Sequence, residues 1–363
     1  MAAERIDIGR FLQLAQQYPV IDVRSPGEYR HARLPGAHSL PLFTDEERKE
    51  VGTTYKQVSR EAAIKTGLDF FGPKMKRMVE AAESIAGSAT NNNRVLLVYC
   101  WRGGMRSGAV SWLLDLYGFK IYTLQGGYKS FRNYVLDSFR LPFRFRILGG
   151  YTGSGKTELL KILQQQGEKI VDLEGIASHK GSAFGNIGMP EQPTQEMFEN
   201  ILALELIRQS GLYPGKDSFA SEHQPIWLED ESQRIGLVNL PNELWKNMRE
   251  SPVFFLDIPF EERLQHIAEE YGGLDRERML NAIGRIREKL GGLNAQNAAR
   301  LLEEGNTLES FRILLKYYDK FYLKGLHNRN QLNSLLHTVE CKSVSAENAA
   351  QLIHHAQRKP QEI

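Results

Sequence analysis

The sequence predicts an α/β protein with two parallel-sheet domains, and three observations support this fold class. The chain has 363 residues, enough for two domains of roughly 100–200 residues each. Apolar runs typical of buried strands alternate with segments of helical periodicity, an order that produces parallel sheets. Two of the strands lead into glycine-containing loops followed by helices, at Cys100 and at Gly150. A boundary within residues 137–142 divides the predicted domains into residues 1–138 and 139–363.

Composition is that of an ordinary soluble globular protein, with 41% hydrophobic and 25% charged residues. The formal net charge is only +2, so nucleic-acid binding must depend on local basic clusters. No signal peptide opens the chain, and no run of about 18 apolar residues predicts a transmembrane helix. Two cysteines, Cys100 and Cys341, do not make a disulfide framework. We therefore expect a cytoplasmic protein with free thiols and no membrane association.

The first predicted domain contains three buried strands, over residues 19–23, 94–99 and 120–124. Between the last two strands, residues 107–117 have helical periodicity. Strand, loop, helix and strand in this order predict a parallel sheet. One face of the helix is predicted to carry Val110, Leu113, Leu114 and Tyr117.

The second predicted domain begins with a strand that runs directly into a glycine-rich loop. A helix over residues 158–166 follows this loop. Beyond about Phe260 the chain is predicted to be helical, so this domain is a second α/β unit with a helical extension. Its strands are predicted at residues 143–148, 169–172, 225–228 and 253–257.

Cys100 begins the loop Cys-Trp-Arg-Gly-Gly-Met-Arg-Ser, between a buried strand and a helix. Backbone N–H groups at a helix N-terminus stabilise a thiolate and can lower its pKa from ~8.5 to about 4–7. Glycines let the loop amides turn inward, and Arg106 can hold an oxyanion through two parallel hydrogen bonds. We predict an oxyanion loop with a reactive cysteine rather than an inert buried thiol. Its candidate catalytic residues are Cys100, Arg102 and Arg106, and its other loop residues are Gly103, Gly104 and Ser107.

Residues 150–157 read Gly-Tyr-Thr-Gly-Ser-Gly-Lys-Thr, a complete Walker A loop between a strand and a helix. Its amides bind a diphosphate, its lysine neutralises the charge, and its threonine can coordinate Mg²⁺. ATP, GTP and a prenyl diphosphate all carry such a group, so the ligand stays open. Beyond this optional Mg²⁺ the sequence assigns no metal site. The predicted diphosphate-binding residues are Gly150, Gly153, Ser154, Gly155, Lys156 and Thr157.

Carboxylates at predicted strand ends are candidate partners of this loop: Asp172, Glu229 and Asp257. Helix capping or a solvated surface position is an equally good interpretation of each. Residues 178–185 are predicted to form a flexible, basic substrate loop, with a plain surface turn as the alternative.

The first part of the chain resembles a rhodanese domain over about residues 8–137. The resemblance rests on residues 21–29, Ile-Asp-Val-Arg-Ser-Pro-Gly-Glu-Tyr, and on residues 31–37, His-Ala-Arg-Leu-Pro-Gly-Ala. The loop after Cys100 is one residue longer than common rhodanese loops. Cys-x5-Arg-Ser is the spacing of cysteine phosphatases, although Tyr99 stands where those enzymes usually have histidine, and no general-acid aspartate is evident. The longer loop suits a donor that carries phosphate.

A rhodanese-like domain followed by a Walker A domain is similar to the bacterial tRNA 2-selenouridine synthases. The resemblance spans nearly the whole chain. It implies conversion of 2-thiouridine to 2-selenouridine at the wobble position of tRNAs for lysine, glutamate and glutamine. It rests on residues 51–56, 99–107, 124–129, 149–157 and 173–175.

The resemblance also implies two steps with two co-substrates. Geranyl diphosphate, held by the Walker loop, first alkylates the sulfur. Selenium from selenophosphate, which another enzyme supplies, then replaces the S-geranyl group. Cys100 would carry the selenium as a selenosulfide, while Arg102, Arg106 and the loop amides hold the phosphate.

Local basic clusters are the expected tRNA contacts. One cluster precedes the Walker strand and another lies in the helical extension. Aromatic residues between 317 and 322 interleave with lysines there; a core helix with solvated lysines is the simpler interpretation, and base stacking is the alternative. The candidate tRNA-binding residues are Arg140, Arg144, Arg146, Arg285 and Arg287, with Lys129, Arg132 and Lys289 nearby.

Two other functions fit the same motifs. A cysteine-dependent phosphatase or sulfurtransferase with a nucleotide-binding regulatory domain would act at Cys100 and could release phosphate from an aryl phosphate. A nonenzymatic switch would bind nucleotide at the Walker loop and leave Cys100 unreactive.

Overall fold

The computed structural model describes residues 3–87, 94–213 and 224–357. The chain divides into two compact units between Asp137 and Ser138, one residue from the predicted boundary. Each unit has its own five-stranded sheet of parallel strands with helices, which confirms the predicted α/β fold class. Within the described ranges, every helix is too short or too polar to span a lipid bilayer.

One parallel sheet organises the first unit. Its strands are β1 (Glu4–Ile6), β2 (Val20–Asp22), β3 (His38–Ser39), β4 (Val95–Tyr99) and β5 (Lys120–Leu124). They lie in the order β1-β5-β4-β2-β3, and all five residues of the central β4 are buried, as its apolar sequence predicts. The helices are α1 (Ile8–Ala15), α2 (Pro26–His31), α3 (Asp45–Gln57), α4 (Arg60–Phe71), α5 (Met75–Ala86), α6 (Met105–Leu116) and α7 (Gly127–Ser138).

Helix α6 packs on this sheet through the predicted face, with one exception. Val110, Leu113 and Leu114 are buried. Tyr117 is 46% exposed, so its predicted burial is wrong. The helix ends at Leu116, and Tyr117 sits at its outer end, where the hydroxyl donates to Glu83.

A second parallel sheet organises the second unit. Its strands are β6 (Phe145–Gly150), β7 (Lys169–Ile170), β8 (Ile226–Glu229), β11 (Val253–Asp257) and β12 (Leu336–Glu340), and a separate antiparallel pair consists of β9 (Arg234–Ile235) and β10 (Val238–Asn239). The sheet order is β12-β11-β6-β8-β7. The helices are α8 (Lys156–Gln165), α9 (Leu173–Ala177), α10 (Gln195–Ser210), α11 (Asn242–Arg249), α12 (Phe260–Tyr271), α13 (Arg276–Arg285), α14 (Arg287–Leu290), α15 (Gly292–Glu303), α16 (Thr307–His327), α17 (Leu332–Leu335) and α18 (Asn348–Gln357).

One sequence expectation for this unit is corrected and another is refined. The extension beyond Phe260 is not wholly helical, because β12 pairs in parallel with β11 at the sheet edge. Only Val339 of β12 is buried, so the strand has little apolar signal in the sequence. The refinement concerns residues 178–185, predicted to be a flexible, basic substrate loop: the segment is a loop, and Lys180, Gly181 and Ser182 line a cavity of this unit. Phe184 in this segment is 2% exposed and belongs to the core that α12, α13, α15 and α16 form.

Candidate active sites

Cys100 lies at the carboxyl end of β4, where the chain turns into α6. The side chain is 3% exposed, and its Sγ atom lies 3.2 Å from Oγ of Ser107 in the first turn of α6. Burial raises the pKa of the Cys100 thiol. Hydrogen bonds from the Ser107 hydroxyl and from the amides of Ser107 and Arg102, with the charge of Arg106, outweigh burial and lower the pKa overall. The loop therefore favours a thiolate, as a nucleophile requires.

Residues 124–129 hold the cysteine loop in shape through backbone contacts. The amide of Tyr128 donates to the Cys100 carbonyl over 2.8 Å. Gly127 has φ +61°, and a Cβ atom there would lie 2.3 Å from the Cys100 carbonyl oxygen and 2.4 Å from the Gly103 nitrogen. A side chain at Gly127 would displace the loop. Gly127 thus has a physical role that the sequence motif alone does not reveal.

A buried ion pair supports the same loop from beneath. Arg24 and Asp22 are almost fully buried and join over 2.6 Å. The Tyr99 hydroxyl donates to the same Asp22 carboxylate over 2.7 Å, and the Arg24 guanidinium lies 3.9 Å from the centre of the Tyr128 ring. Burial and the Asp22 charge raise the pKa of Tyr99 well above its ordinary value, so the phenol remains a donor. Asp22 and Arg24 of the early rhodanese-like motif therefore have a structural role. The Asp22 carboxylate is bound by both Arg24 and Tyr99.

Arg106 is held by a carboxylate that the sequence did not pair with it. Its guanidinium donates to Glu28 of α2 over 2.7 Å and 3.4 Å. Burial raises the pKa of Glu28, but the hydrogen bond and charge of Arg106, with the Ser25 amide, lower it overall. The predicted two-bond grip on an oxyanion is thus used by Glu28, and an anion must use the remaining N–H donors of Arg106. Arg102 is exposed, with no ion-pair partner among the described residues.

The Walker loop joins β6 to α8 and borders a cavity of about 1020 Å³. The Lys156 ammonium donates to the Gly150 carbonyl over 3.0 Å. Gly153 and Gly155 have φ +80° and +66°, and a Cβ atom on Gly153 would lie 2.7 Å from the carbonyl oxygen of Arg263. Both positions therefore need glycine. The sixth predicted diphosphate-binding residue, Gly150, is not part of the cavity lining and accepts the hydrogen bond from Lys156. The other five line the cavity: Gly153, Ser154, Gly155, Lys156 and Thr157.

Glu174 is a carboxylate that binds a residue of the Walker loop directly, and the sequence analysis did not predict it as a site residue. The Thr157 hydroxyl donates to its Oε2 atom over 2.8 Å. Burial raises the pKa of Glu174, although Thr157 and Lys156 oppose this effect. The sequence identifies Glu174 only as part of the motif at residues 173–175. Its pairing with Thr157 has no local sequence signal, because the two residues are 17 positions apart.

The three carboxylates that the sequence did select have other surroundings. Asp172 lines the cavity but caps α9, accepting from the Gly175 amide over 2.6 Å. Glu229 is fully buried behind the cavity wall and accepts from the Leu173 amide. Asp257 ends β11 away from the cavity lining. Glu229 is therefore not part of the cavity lining, and its role as an acidic partner of the Walker loop stays a prediction.

Aromatic residues of α16 contribute to this cavity in two ways. The Tyr322 hydroxyl accepts from the Gly150 amide over 3.1 Å and donates to Asp230, which Arg329 also binds. This chain of contacts fixes the end of β6, so Tyr322 is a structural residue. Tyr317 and Phe321 line the cavity, and Phe321 is 44% exposed.

The candidate tRNA-binding arginines differ in their exposure to solvent. Arg146 pairs with Glu168 over 3.3 Å and stacks 5.5 Å from the ring centre of Trp227. Its charge is neutralised inside the unit, which contradicts its selection as a surface cation. Exposed positions are those of Arg140, Arg144, Arg285 and Arg287, and Arg285 donates to the Ala183 carbonyl over 2.7 Å.

Within the described residues no three His, Cys, Asp or Glu side chains are arranged to hold a metal ion. The Thr157 hydroxyl and the Glu174 carboxylate are oxygen donors of the kind that Mg²⁺ accepts together with phosphate oxygens and water. These residues fit a phosphate-bound Mg²⁺ better than a site built by the protein alone.

Two family models match the chain, one for each unit. Residues 8–134 match the rhodanese-like domain, and residues 143–275 match the tRNA 2-selenouridine synthase AAA domain. Three curated relatives are all named tRNA 2-selenouridine synthase. The protein of Hydrogenovibrio crunogenus is 37% identical and the match covers 84% of this chain and 88% of the relative. The proteins of Bdellovibrio bacteriovorus and Marinobacter nauticus are 33% and 34% identical, over 87% and 88% of this chain and 90% and 92% of the relatives. The chain therefore belongs to the tRNA 2-selenouridine synthase family.

Proposed function

We propose that this protein replaces the sulfur of 2-thiouridine in tRNA by selenium, at the wobble position of tRNAs for lysine, glutamate and glutamine. The relatives' shared name supports tRNA modification with selenium. The observation that carries the proposal is the pairing of two anion sites in one chain. Cys100 has a lowered thiol pKa in an oxyanion loop, and the Walker loop offers Lys156 and Thr157 at a separate cavity.

The Walker cavity takes geranyl diphosphate in this proposal. The sulfur of the thiouracil forms a bond to carbon 1 of the geranyl group, the bond from that carbon to diphosphate breaks, and the thiouracil loses its N3 proton. Lys156 and the loop amides stabilise the negative charge that develops on the leaving diphosphate. Mg²⁺ bound near Thr157 and Glu174 would neutralise further charge. No nucleotide hydrolysis is needed.

Cys100 acts in the second step, and electron balance determines how. Selenophosphate holds selenium as selenide on phosphorus(V), so loading Cys100 as a selenosulfide requires either an oxidant or release of phosphorus as phosphite. Attack of the thiolate on phosphorus balances without either. The S–P bond forms, the P–Se bond breaks, and selenide leaves. Selenide then adds to carbon 2 of the S-geranylated base and expels geranyl thiol, and water hydrolyses the phosphocysteine.

This role agrees with the surroundings of Cys100. Selenide is a weakly basic leaving group and departs without a proton from a general acid. Glu28 and Asp22 are each bound to an arginine, and the pKa of Glu28 is lowered, so Glu28 is a poor acid at neutral pH. An aryl phosphatase needs such an acid for its phenolic leaving group. The pairing of both carboxylates with arginines therefore favours phosphoryl chemistry with a good leaving group over the phosphatase alternative.

Analysis of tRNA nucleosides by mass spectrometry tests the proposal. Purified protein is incubated with thiolated tRNA, with geranyl diphosphate and selenophosphate added singly and together. We expect S-geranyl-2-thiouridine with geranyl diphosphate alone and 2-selenouridine with both. Intact-protein mass after brief exposure to selenophosphate distinguishes phosphocysteine from selenosulfide on Cys100. Phosphate release from an aryl phosphate, without any nucleoside change, would instead support the phosphatase.

A further inference from the structure

The Walker cavity shares part of its lining with a groove of about 610 Å³ along α16. Lys289, Tyr317 and Phe321 line both spaces, so a ligand in the groove can extend toward the Walker loop. Three further lysines at four-residue spacing line the groove alone. We call it the lysine groove, defined by Lys289, Lys316, Lys320, Lys324, Tyr317 and Phe321.

The lysines of this groove have no direct salt-bridge partner in the described part of the chain, although the charge of Lys316 contributes at longer range to the lowered pKa of Glu261. Within the described residues none of the four forms an ion pair, whereas nearby arginines do: Arg312 of the same helix binds Glu261 and Glu309, and Arg263 binds Asp319. Like charges four residues apart on a helix repel one another. Lys316, Lys320 and Lys324 therefore repel one another along α16, although Lys324 also lies in the last turn, where a cation is favourable. An anionic partner would relieve this repulsion.

The aromatic residues of the groove provide a surface of a different kind. The rings of Tyr317 and Phe321 lie one turn apart, with centres separated by 4.6 Å. Phe321 is 44% exposed. Exposed aromatic rings beside a row of cations are the combination that binds single-stranded nucleic acid, where the cations follow the phosphates and the rings stack on unpaired bases.

We propose that the lysine groove binds unpaired RNA of the tRNA anticodon loop and directs its target base toward the Walker cavity. The identity of the RNA rests on the proposed function. The charge distinguishes RNA from the other plausible occupant, a prenyl chain, because a hydrocarbon gains nothing from four ammonium groups. Phosphates of an extended strand would neutralise them in succession.

The salt dependence of RNA binding tests the cationic part of this proposal. A fluorescent anticodon stem–loop RNA without sulfur is titrated with the Lys320→Ala/Lys324→Ala variant at several salt concentrations. Its matched control is Lys246→Ala/Lys342→Ala, which removes the same charge from exposed positions outside the groove. Loss of two phosphate contacts should reduce the slope of log K against log salt by about 1.4. The control should keep the wild-type slope.

The stacking part needs a separate variant. Phe321→Ala should weaken RNA binding about tenfold and leave the salt slope unchanged, because one stacked base is lost but no cation. Phe321→Trp should retain binding. Leu237→Ala, which alters another exposed apolar side chain away from the groove, is the control.

Two results would overturn the inference. Wild-type affinity and slope in both groove variants would exclude the groove as an RNA site. Loss confined to geranyl diphosphate binding would assign the groove to the prenyl chain. Because the RNA carries no sulfur, binding is measured independently of the chemistry; a protein that binds through the groove but never forms selenouridine would contradict the proposed function alone.

Discussion

The Sγ atom of Cys100 lies 3.2 Å from the Oγ atom of Ser107, and this hydrogen bond is the first of the contacts that lower the thiol pKa against burial. Ser107→Ala removes the hydroxyl but keeps the backbone amides of the loop. We expect the pKa of Cys100 to rise and its alkylation by iodoacetamide at neutral pH to slow, by about tenfold for each unit of the rise. The pH dependence of the alkylation rate measures the shift.

Cys341 provides the internal reference for this measurement. Burial and the Asp257 charge raise its pKa to about 11, so it should stay unreactive where Cys100 is alkylated. A Cys341→Ser background removes any residual signal. Equal pH profiles for Ser107→Ala and the parent protein would show that the hydroxyl does not stabilise the thiolate.

Replacement of Cys100 by serine should separate the two proposed steps. The cysteine loop and the Walker loop lie in different compact units, so geranylation should continue while selenouridine formation stops. The variant is given thiolated tRNA with geranyl diphosphate, and selenophosphate is added afterwards. Selenouridine formed at the parent rate would refute a covalent role for Cys100.

Lys156→Ala should have the complementary effect. Lys156 is the cation of the Walker loop, and removal of one such contact to a leaving group costs about 2–4 kcal/mol of transition-state stabilisation, or roughly 30- to 1000-fold in rate. Lys161→Ala is the matched control, because Lys161 lines the same cavity five residues further along α8. The test measures the rate of S-geranyl-thiouridine formation by each variant. If both variants form the product at the parent rate, the diphosphate binds elsewhere.

The sequence was sufficient for features that are local in the chain. The cysteine loop and the Walker loop each lie within one strand–loop–helix segment, so residue type and spacing predicted them. The partners that tune these loops are distant: Glu28 is 78 residues from Arg106, and Asp230 is 92 residues from Tyr322. No periodicity encodes such pairs. Strand β12 was missed for a related reason, since an exposed edge strand has little apolar pattern and depends on pairing with β11.

Arg146 is a basic residue whose charge, predicted to contact tRNA, is paired within its own unit. Its guanidinium contacts Glu168 and Trp227 instead of solvent. We expect Arg146→Ala to lower the free energy of unfolding by about 2 kcal/mol, because the largely buried carboxylate of Glu168 loses a charged hydrogen-bond donor. The salt slope of RNA binding should not change. Urea denaturation beside RNA titration checks both; a reduced slope with unchanged stability would restore Arg146 to the RNA surface.

Glu229 makes the stability of the second unit depend on pH, and the direction follows from its burial. Burial, with the charges of Asp172 and Glu174, raises the pKa of Glu229 well above its ordinary value of 4.5. Below pH 4.5 the carboxyl is protonated in both the folded and the unfolded chain. As the pH rises above 4.5 the unfolded chain releases this proton and the folded chain keeps it. The free energy of unfolding therefore falls, by at most about 1.4 kcal/mol per pH unit, until the pH reaches the raised pKa.

Glu229→Gln should remove this contribution while keeping an acceptor for the Leu173 amide. Glu174 and Glu231 also have raised pKa values, so the informative quantity is the difference in slope between variant and parent. Urea denaturation at several values between about pH 5 and pH 7 gives both slopes. The variant should have the shallower decline. Parallel slopes would mean that Glu229 is ionised in the folded protein, which its enclosed and partly unpaired carboxyl makes energetically costly.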